Sequence, residues 1–150
     1  MNINIAKALI TNELNKHGLT DYTFKYNKSK SINGVCFYRM KRIELSSVYV
    51  KLNSFDRIYN TILHEVCHAL DYRANPDIKM SHGETWKALC KKLGCNGNIV
   101  SQGSVRAEFK HLYQCTECNA EIGSYRLLKN IDKKFHKKCG KIKGKMIKVK

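Results

Sequence analysis

The chain has 150 residues, enough for one domain of ordinary size with a small additional module. Its 28 Lys and Arg residues outnumber 12 Asp and Glu residues, and the net charge of +16 favours binding to polyanions, above all to nucleic acid. The sequence contains no run of 18 apolar residues, which excludes a membrane-spanning helix. Its first residues lack the apolar stretch of an export signal, so we expect a cytoplasmic protein. We also expect it to be a monomer.

The first predicted element is a helix near the N-terminus. Apolar residues recur there at helical spacing, with Ile5, Leu9 and Leu14 on one stripe, and Gly18 follows as a C-terminal stop. Three short strands are predicted next, because aromatic and β-branched residues alternate or cluster between turn-forming residues. These strands, expected to form a short antiparallel sheet, lie in the segments DYTFKY, VCFYRM and RIELSSVYV.

Two helices are predicted after the strands. The longer helix begins near Ser54, a residue type that caps helix N-termini, and it ends before Pro76, a length of about five turns. The shorter helix begins with Ser81 and Glu84 at the spacing of a capping box, and Gly94 marks its end. This order of a helix, strands and two further helices predicts an α+β fold.

The longer of these helices carries the motif HEVCH. His64 and His68 are four residues apart, so both imidazoles lie on one face, away from the apolar stripe, and can reach one metal ion. Glu65 lies beside them, within reach of a water molecule at the metal. A catalytic zinc needs three protein ligands, and His82, predicted in the first turn of the shorter helix, is the candidate for the third. Its neighbour Gly83 allows a close approach of the backbone.

Residues 110–150 are predicted to form a separate basic module. This segment has twelve basic and three acidic residues, a net charge of +9. It also contains two pairs of potential metal ligands, each pair three positions apart, namely Cys115, Cys118, His136 and Cys139. The residue after each pair, Asn119 or Gly140, tolerates the left-handed backbone conformation that turns N–H groups toward a ligand. The pattern predicts a structural zinc site, and unligated thiols on a basic tail are the alternative.

The other four of the seven cysteines have no such spacing. Because the sequence shows no export signal, we expect reduced thiols rather than disulfides. We therefore predict that these four cysteines serve as small apolar residues and have no metal-ligand partners at that spacing. They are Cys36, Cys67, Cys90 and Cys95.

Taken together, these motifs resemble the SprT-like metalloproteases, the family to which Spartan belongs. The resemblance rests on HEVCHAL, on the position of His82 fourteen residues after His68, and on HGETWKALCKKLG, and it covers nearly the whole chain. It implies a zincin-like protease domain over residues 1–109 and a zinc ribbon over residues 110–150. It also implies that the zinc ligands are the three histidines and that the base is the motif glutamate, here His64, His68, His82 and Glu65. The ribbon departs from the family's usual form because His136 stands where a second Cys-x-x-Cys pair is more common.

The resemblance further implies an endopeptidase that acts on DNA-bound or DNA-crosslinked proteins and is stimulated by DNA. Basic side chains of the module can meet phosphates, and Tyr113, Tyr125 and Phe135 can stack on unpaired bases; the basic residues are Lys137, Lys138, Lys141, Lys143, Lys145 and Lys148. A strand edge within ELSSVYV is expected to hold an extended substrate. Two alternatives are a nucleic-acid-binding zinc protein with an inactive or autoinhibited zincin domain, and a zinc hydrolase of non-peptide substrates.

Overall fold

A computed structural model describes residues 1–77, 82–97 and 105–150. The chain divides into two compact units, residues 1–107 and residues 108–150. Each unit has a hydrophobic core of its own. Within the described ranges, no helix combines the length and the apolar character needed to cross a membrane.

The first unit combines helices with a small sheet, which confirms the predicted α+β class. In chain order, its described helices and strands are α1 (Ile3–Lys16), β1 (Thr23–Asn27), β2 (Gly34–Phe37), β3 (Arg42–Ser46), α2 (Ser47–Leu52), α3 (Phe55–Ala74) and α4 (Glu84–Leu93). A short 3₁₀ turn, Tyr38–Met40, connects β2 to β3.

The sheet of the first unit is mixed, with the strand order β1–β3–β2. β2 and β3 pair antiparallel, as predicted, because a tight turn joins them. β1 instead pairs in parallel with the other side of β3, so the sheet is not wholly antiparallel. A parallel pair needs a connection of about a dozen residues or more, and residues 28–41, which include β2, supply that length. This arrangement leaves β2 at an edge of the sheet.

The segment RIELSSVYV, predicted as one strand, forms a strand and then a helix. β3 ends at Ser46, whose hydroxyl oxygen accepts a hydrogen bond of 3.1 Å from the N–H of Tyr49 and so caps α2. Tyr49 and its neighbour Val50 are both buried. A strand would send these neighbours to opposite faces, whereas a helix can turn both toward the core. Packing therefore overrides the strand propensity of the valines.

α1 packs against the sheet and α3 through a face that is rotated from the predicted one. Its buried apolar residues are Ala6, Ile10 and Leu14, each four positions after the last. Ile5, predicted to lie on the apolar stripe, is 51% exposed. Gly18 adopts a φ of +68°, a left-handed conformation that favours glycine, and this confirms its role as the stop after the helix.

α3 is the central helix of the first unit. It starts after Ser54, as predicted, and its 20 residues make about five and a half turns. The stripe of Ile58, Ile62, Val66 and Ala69 is fully buried in the main core, together with residues of α1 and of the sheet. α3 also packs against β2 and α4, and these contacts lie beside the HEVCH motif.

α4 begins later than predicted. Its N-cap is Gly83, which makes no side-chain capping bond, so His82 precedes the helix instead of lying in its first turn. Ser81, the predicted cap, lies outside the described residues. Gly94 ends the helix with a φ of +79°, as predicted. The N–H of Cys95 donates to the carbonyl of Cys90 at 2.9 Å, and the N–H of Gly94 donates to that of Lys91, a pattern known as a Schellman motif.

The second unit is a small antiparallel sheet with the strand order β5–β4–β6. Its elements are β4 (His111–Cys115), β5 (Glu121–Ser124), a one-turn helix α5 (Gly140–Lys143) and β6 (Met146–Lys148). The buried core consists of Tyr113, Cys115 and Met146, with a few half-buried neighbours. The hydroxyl of Tyr113 accepts a hydrogen bond of 2.8 Å from the N–H of Leu128. The prediction that Tyr113 stacks on bases is therefore wrong, because its ring is enclosed in this core.

Candidate metal centres

Three histidine side chains come together in the first unit. Nε2 of His82 lies 3.1 Å from Nε2 of His64 and 3.2 Å from Nε2 of His68. Three nitrogens bound to one tetrahedral zinc at ~2.0–2.1 Å would lie about 3.3 Å from one another. The donor set therefore fits a zinc ion with three protein ligands, an arrangement that leaves the fourth position open.

Trp86 packs against this histidine cluster, and the sequence prediction missed it. Its ring centroid lies 4.7, 5.2 and 4.5 Å from those of His64, His68 and His82, and its side chain is fully buried. The sequence signal was the position of Trp86 in HGETW, near the start of α4. Because Trp86 is a large rigid ring in contact with all three imidazoles, it fixes their orientation.

The environment favours the neutral form of His68 and His82. Burial, together with His64 and His82, lowers the pKa of His68 to about 3. Burial and the neighbouring His64 also lower the pKa of His82. A neutral imidazole retains the lone pair that binds a metal ion, so these two side chains suit metal binding at neutral pH.

Glu65 lies in the cleft that contains the three histidines. This cleft has a volume of about 370 Å³, and its walls include Gly34, Val35, Cys36 and Tyr38 from β2 and the following turn. Glu65 is only 5% exposed. Burial raises its pKa to about 7, whereas His64 and the backbone N–H of Cys36, which donates to the carboxylate, act in the opposite direction. The structure thus holds the Glu65 carboxylate in the same cleft as the three imidazoles.

Gly34 leaves the space that the Glu65 side chain occupies. A Cβ atom at this position would lie 2.9 Å from Oε1 and 3.0 Å from Cγ of Glu65, and 3.0 Å from a methyl group of Thr61. The sequence prediction missed this role, because Gly34 of β2 meets Glu65 only in the tertiary structure. Gly34 therefore belongs to the site although it offers no side chain.

The strand edge that faces the cleft is β2, not the predicted segment ELSSVYV. β3 pairs with β1 on one side and with β2 on the other, so both of its edges are used. The following residues, Ser47–Leu52, are helical. β2 lines the cleft, and among the strands of the described ranges it pairs only with β3. Its other edge is therefore available to a peptide.

A second set of donors comes together in the second unit. Nδ1 of His136 lies 3.2 Å from Sγ of Cys118 and 3.4 Å from Sγ of Cys139. With Cys115 included, all four ligand atoms lie within 4.8 Å of one another. The pKa of the Cys115 thiol is lowered, and the main cause is its hydrogen bond with the backbone N–H of Cys118. Three thiols and one imidazole at these distances fit a closed tetrahedral zinc site.

The backbone around these donors has the predicted conformation. Asn119 has a φ of +56° and Gly140 a φ of +76°, so the residue after each ligand pair is left-handed. In each turn an N–H returns to the first ligand residue: Asn119 donates to the carbonyl of Cys115 at 3.0 Å, and Gly140 donates to that of His136 at 3.1 Å. The two turns therefore direct the four ligand side chains toward one common point.

Three of the remaining cysteines form a cluster. Sγ of Cys95 lies 3.0 Å from Sγ of Cys90, and the thiol of Cys67 interacts with both. Cys36 is separate from this cluster and lines the cleft. The prediction that Cys67, Cys90 and Cys95 serve as small apolar residues is confirmed by their burial in a hydrophobic core, whereas their contact with one another was not predicted.

The sequence model of the SprT-like family matches residues 6–111. The chain belongs to the SprT-like family. This confirms the resemblance drawn from the motifs and supports an enzyme of the metallopeptidase type.

This SprT-like chain is similar to two curated proteins that are much longer. Germ cell nuclear acidic protein of Homo sapiens is 29% identical over 135 residues, which cover 82% of the chain and 19% of that protein. An HMG box-containing protein of Schizosaccharomyces pombe is 30% identical over 102 residues, which cover 65% of the chain and 28% of that protein. The SprT-like chain thus spans less than a third of the length of either relative.

A solved structure, the metallopeptidase zymogen jannalysin of Methanocaldococcus jannaschii, is similar to the SprT-like chain in outline. The two share 14% sequence identity and a TM-score of 0.48. The match covers 66% of this chain and 85% of jannalysin.

We expect the SprT-like protein to bind two zinc ions, because the two donor sets lie in different units. Native mass spectrometry of protein purified without chelator should show two ions in the wild type. It should show one ion in His64→Ala and one in Cys115→Ala, each variant losing a different site. The Cys36→Ser variant, which removes a thiol outside both sets, should keep two ions. A wild-type mass with one zinc or none would contradict the prediction.

Proposed function

We propose that this chain is a zinc-dependent endopeptidase in which Glu65 is the catalytic base. The observation that carries the proposal is a buried carboxylate in the same cleft as three convergent imidazoles. A structural zinc site needs no such base, and the cleft is large enough for a segment of peptide. Membership in the SprT-like family supports the same class of reaction.

The proposed mechanism assigns proton transfer to Glu65. Zinc held by His64, His68 and His82 would supply a Lewis acid that makes water a nucleophile near neutral pH. The Glu65 carboxylate takes a proton from the water that attacks the scissile carbonyl carbon. It then delivers this proton to the leaving amine as the C–N bond breaks. The N–H of Cys36 holds the carboxylate in place for both transfers.

The edge of β2 suggests how a peptide substrate is held. An extended peptide that adds to a strand edge forms hydrogen bonds through its main chain. Such binding depends little on the side chains of the substrate, so we expect weak sequence preference. Because β2 also carries Gly34 and Cys36, which surround Glu65, a substrate on this edge would lie next to the base.

We further propose that DNA binds the second unit and brings protein substrates to the cleft. The positive charge of this unit supports the idea, and the six lysines named in the sequence analysis are all exposed. The ring of Phe135 is half-buried beneath the ammonium group of Lys141 at 5.9 Å, which places an aromatic surface among these charges. The names of the relatives, one nuclear and one containing an HMG box, agree with a DNA-associated role.

Cleavage assays test this function. The purified protein would be incubated with a DNA-binding protein or with casein, each with no DNA, single-stranded DNA or duplex DNA. We expect zinc-dependent cleavage that DNA increases, most strongly for the DNA-binding substrate. DNA binding without any cleavage would contradict the proposal and support a nucleic-acid-binding protein with an inactive zincin domain.

Gly34→Ala is expected to lower kcat strongly without removing zinc. The added methyl group would meet Oε1 of Glu65, so the carboxylate must move away from its present position. Misplacement of a reacting group by about 1 Å can cost ~10²-fold in rate. We expect a fall of this order in kcat, measured by peptide cleavage, with a smaller change in KM and both zinc ions retained.

The double variant Gly34→Ala/Thr61→Ser is a control for strand displacement. Thr61→Ser removes the methyl group that the new Cβ would also meet, and it keeps the hydroxyl that bonds Tyr49. The double variant should remain as slow as Gly34→Ala, since the contact with Glu65 persists. A single variant with near wild-type kcat would show that Gly34 does not position the base.

A further inference from the structure

The thiols of Cys67, Cys90 and Cys95 form a cluster behind the histidine site. Cys67 lies on α3, Cys90 lies on α4, and Cys95 follows the end of α4. The exposed fractions of the three residues are only 0%, 1% and 7%, in that order. Their neighbours in this second core of the first unit include Leu63 and Trp86.

Local backbone structure explains why Cys90 and Cys95 meet. In a Schellman motif, the second residue after the helix end lies over the third residue before it, and an apolar contact between the two is common. Here these residues are Cys95 and Cys90, and the contact is a pair of thiols 3.0 Å apart. A disulfide needs a separation of about 2.05 Å, so the sulfur atoms have to approach by only ~1 Å.

The thiol cluster also touches one of the proposed metal ligands. The Cys95 thiol lies in hydrogen-bonding contact with the His64 side chain. Nε2 of His64 faces His82, which leaves Nδ1 as the ring nitrogen available to Cys95. Partners of this kind set the orientation of a metal-binding imidazole, and their loss typically lowers metal affinity by ~10–100-fold.

We propose that Cys90 and Cys95 form a reversible disulfide when the protein meets a peroxide, and that this bond weakens zinc binding by withdrawing Cys95 from His64. In the reaction, one thiol attacks hydrogen peroxide, the O–O bond breaks, and a sulfenic acid and one water form. The second thiol then attacks that sulfur, the S–S bond forms, and a second water leaves. Two electrons pass from the two sulfurs to the peroxide, and a thiol reductant reverses the change. The disulfide is independent of the proposed function, whereas its effect on zinc rests on the proposed histidine site.

Peptide mapping of the zinc-loaded chain tests the disulfide. The protein would be treated with hydrogen peroxide, its remaining thiols alkylated, and the product digested with trypsin. Lys91 and Lys92 separate the two cysteines, so a disulfide joins two tryptic peptides that are otherwise released apart. We expect this joined pair after peroxide and its disappearance after reduction. Absence of the pair, or linkage of Cys67 to Cys95 instead, would overturn the proposal.

Trp86 reports the effect on zinc. It is the single tryptophan of the chain and lies against the three histidines, so its fluorescence follows the histidine site and not the cysteine-rich one. In a chelator titration, the oxidised protein should lose the zinc-dependent fluorescence at ~10-fold lower chelator concentration than the reduced protein. Linkage without this shift would overturn the coupling to zinc.

Two variants complete the test. Cys90→Ser keeps the Cys95 thiol beside His64 but cannot form the disulfide, so peroxide should leave its chelator titration unchanged. Cys36→Ser, a matched loss of one thiol outside the cluster, should respond as the wild type does. A peroxide-dependent shift that persists in Cys90→Ser would overturn the coupling. If zinc never alters Trp86 fluorescence, the histidine metal site and the coupling both fail, while the mass spectrum still decides the disulfide.

Discussion

Glu65→Gln is expected to abolish peptidase activity while both zinc ions remain bound. Gln has nearly the shape of Glu but cannot accept the proton of the attacking water. Positioned proton transfer contributes typically ~10²–10⁴-fold, so kcat should fall by this factor. Steady-state cleavage of a DNA-binding protein would measure the loss, and native mass spectrometry would count the zinc ions.

Glu84→Gln is the matched control for this experiment. Glu84 lies at the start of α4, its side chain is 92% exposed, and it pairs with Lys87 on the surface. The same chemical change there should leave kcat near the wild-type value. If Glu65→Gln cleaved at the wild-type rate, Glu65 would not be the base and the proposed mechanism would fail.

Removal of the second unit is expected to weaken DNA binding and to make it less dependent on salt. Each phosphate contact contributes about 0.9 to the slope of log affinity against log salt on duplex DNA. If the six lysines named in the sequence analysis contact phosphates, a chain of residues 1–107 should lose about 5 from this slope. DNA should also stimulate its peptidase activity less, whereas zinc at the histidine site and basal cleavage should survive.

Charge-matched variants of the full chain separate this effect from truncation. Replacing Lys137, Lys138 and Lys141 by Ala removes three exposed charges from the second unit. Replacing Lys7, Lys28 and Lys51 by Ala removes three exposed charges from the first. Fluorescence anisotropy with labelled duplex DNA should show a larger loss of affinity for the first set. Equal losses would mean that overall charge, rather than the second unit, controls DNA binding.

Local sequence rules were sufficient for the features that depend on short spacing. The four-residue spacing of His64 and His68 placed both on one helix face, and the structure brings their Nε2 atoms close to that of His82. The turns at Asn119 and Gly140 followed from residue types that tolerate positive φ. In each case, neighbours along the chain determine the geometry.

Features that depend on tertiary contacts were not predictable in the same way. No local pattern relates Gly34 to Glu65, since they meet only when β2 packs against α3. Burial of Tyr49 and Val50 makes a helix from residues that favour strands. The Cys90–Cys95 contact had a local basis in the helix end at Gly94, but its approach to Cys67 and His64 required α3 and α4 to pack together.

The unequal cores of the two units have a consequence for how each depends on metal supply. The first unit buries thirteen residues in its main core, so its fold does not need a metal ion. The second unit buries only Tyr113, Cys115 and Met146, and one of these three is itself a proposed ligand. For so small a core, the free energy of zinc binding is the free energy of folding. Zinc starvation would therefore unfold the second unit while the first unit persists, and if the second unit binds DNA as proposed, zinc availability would set how long the chain stays on DNA.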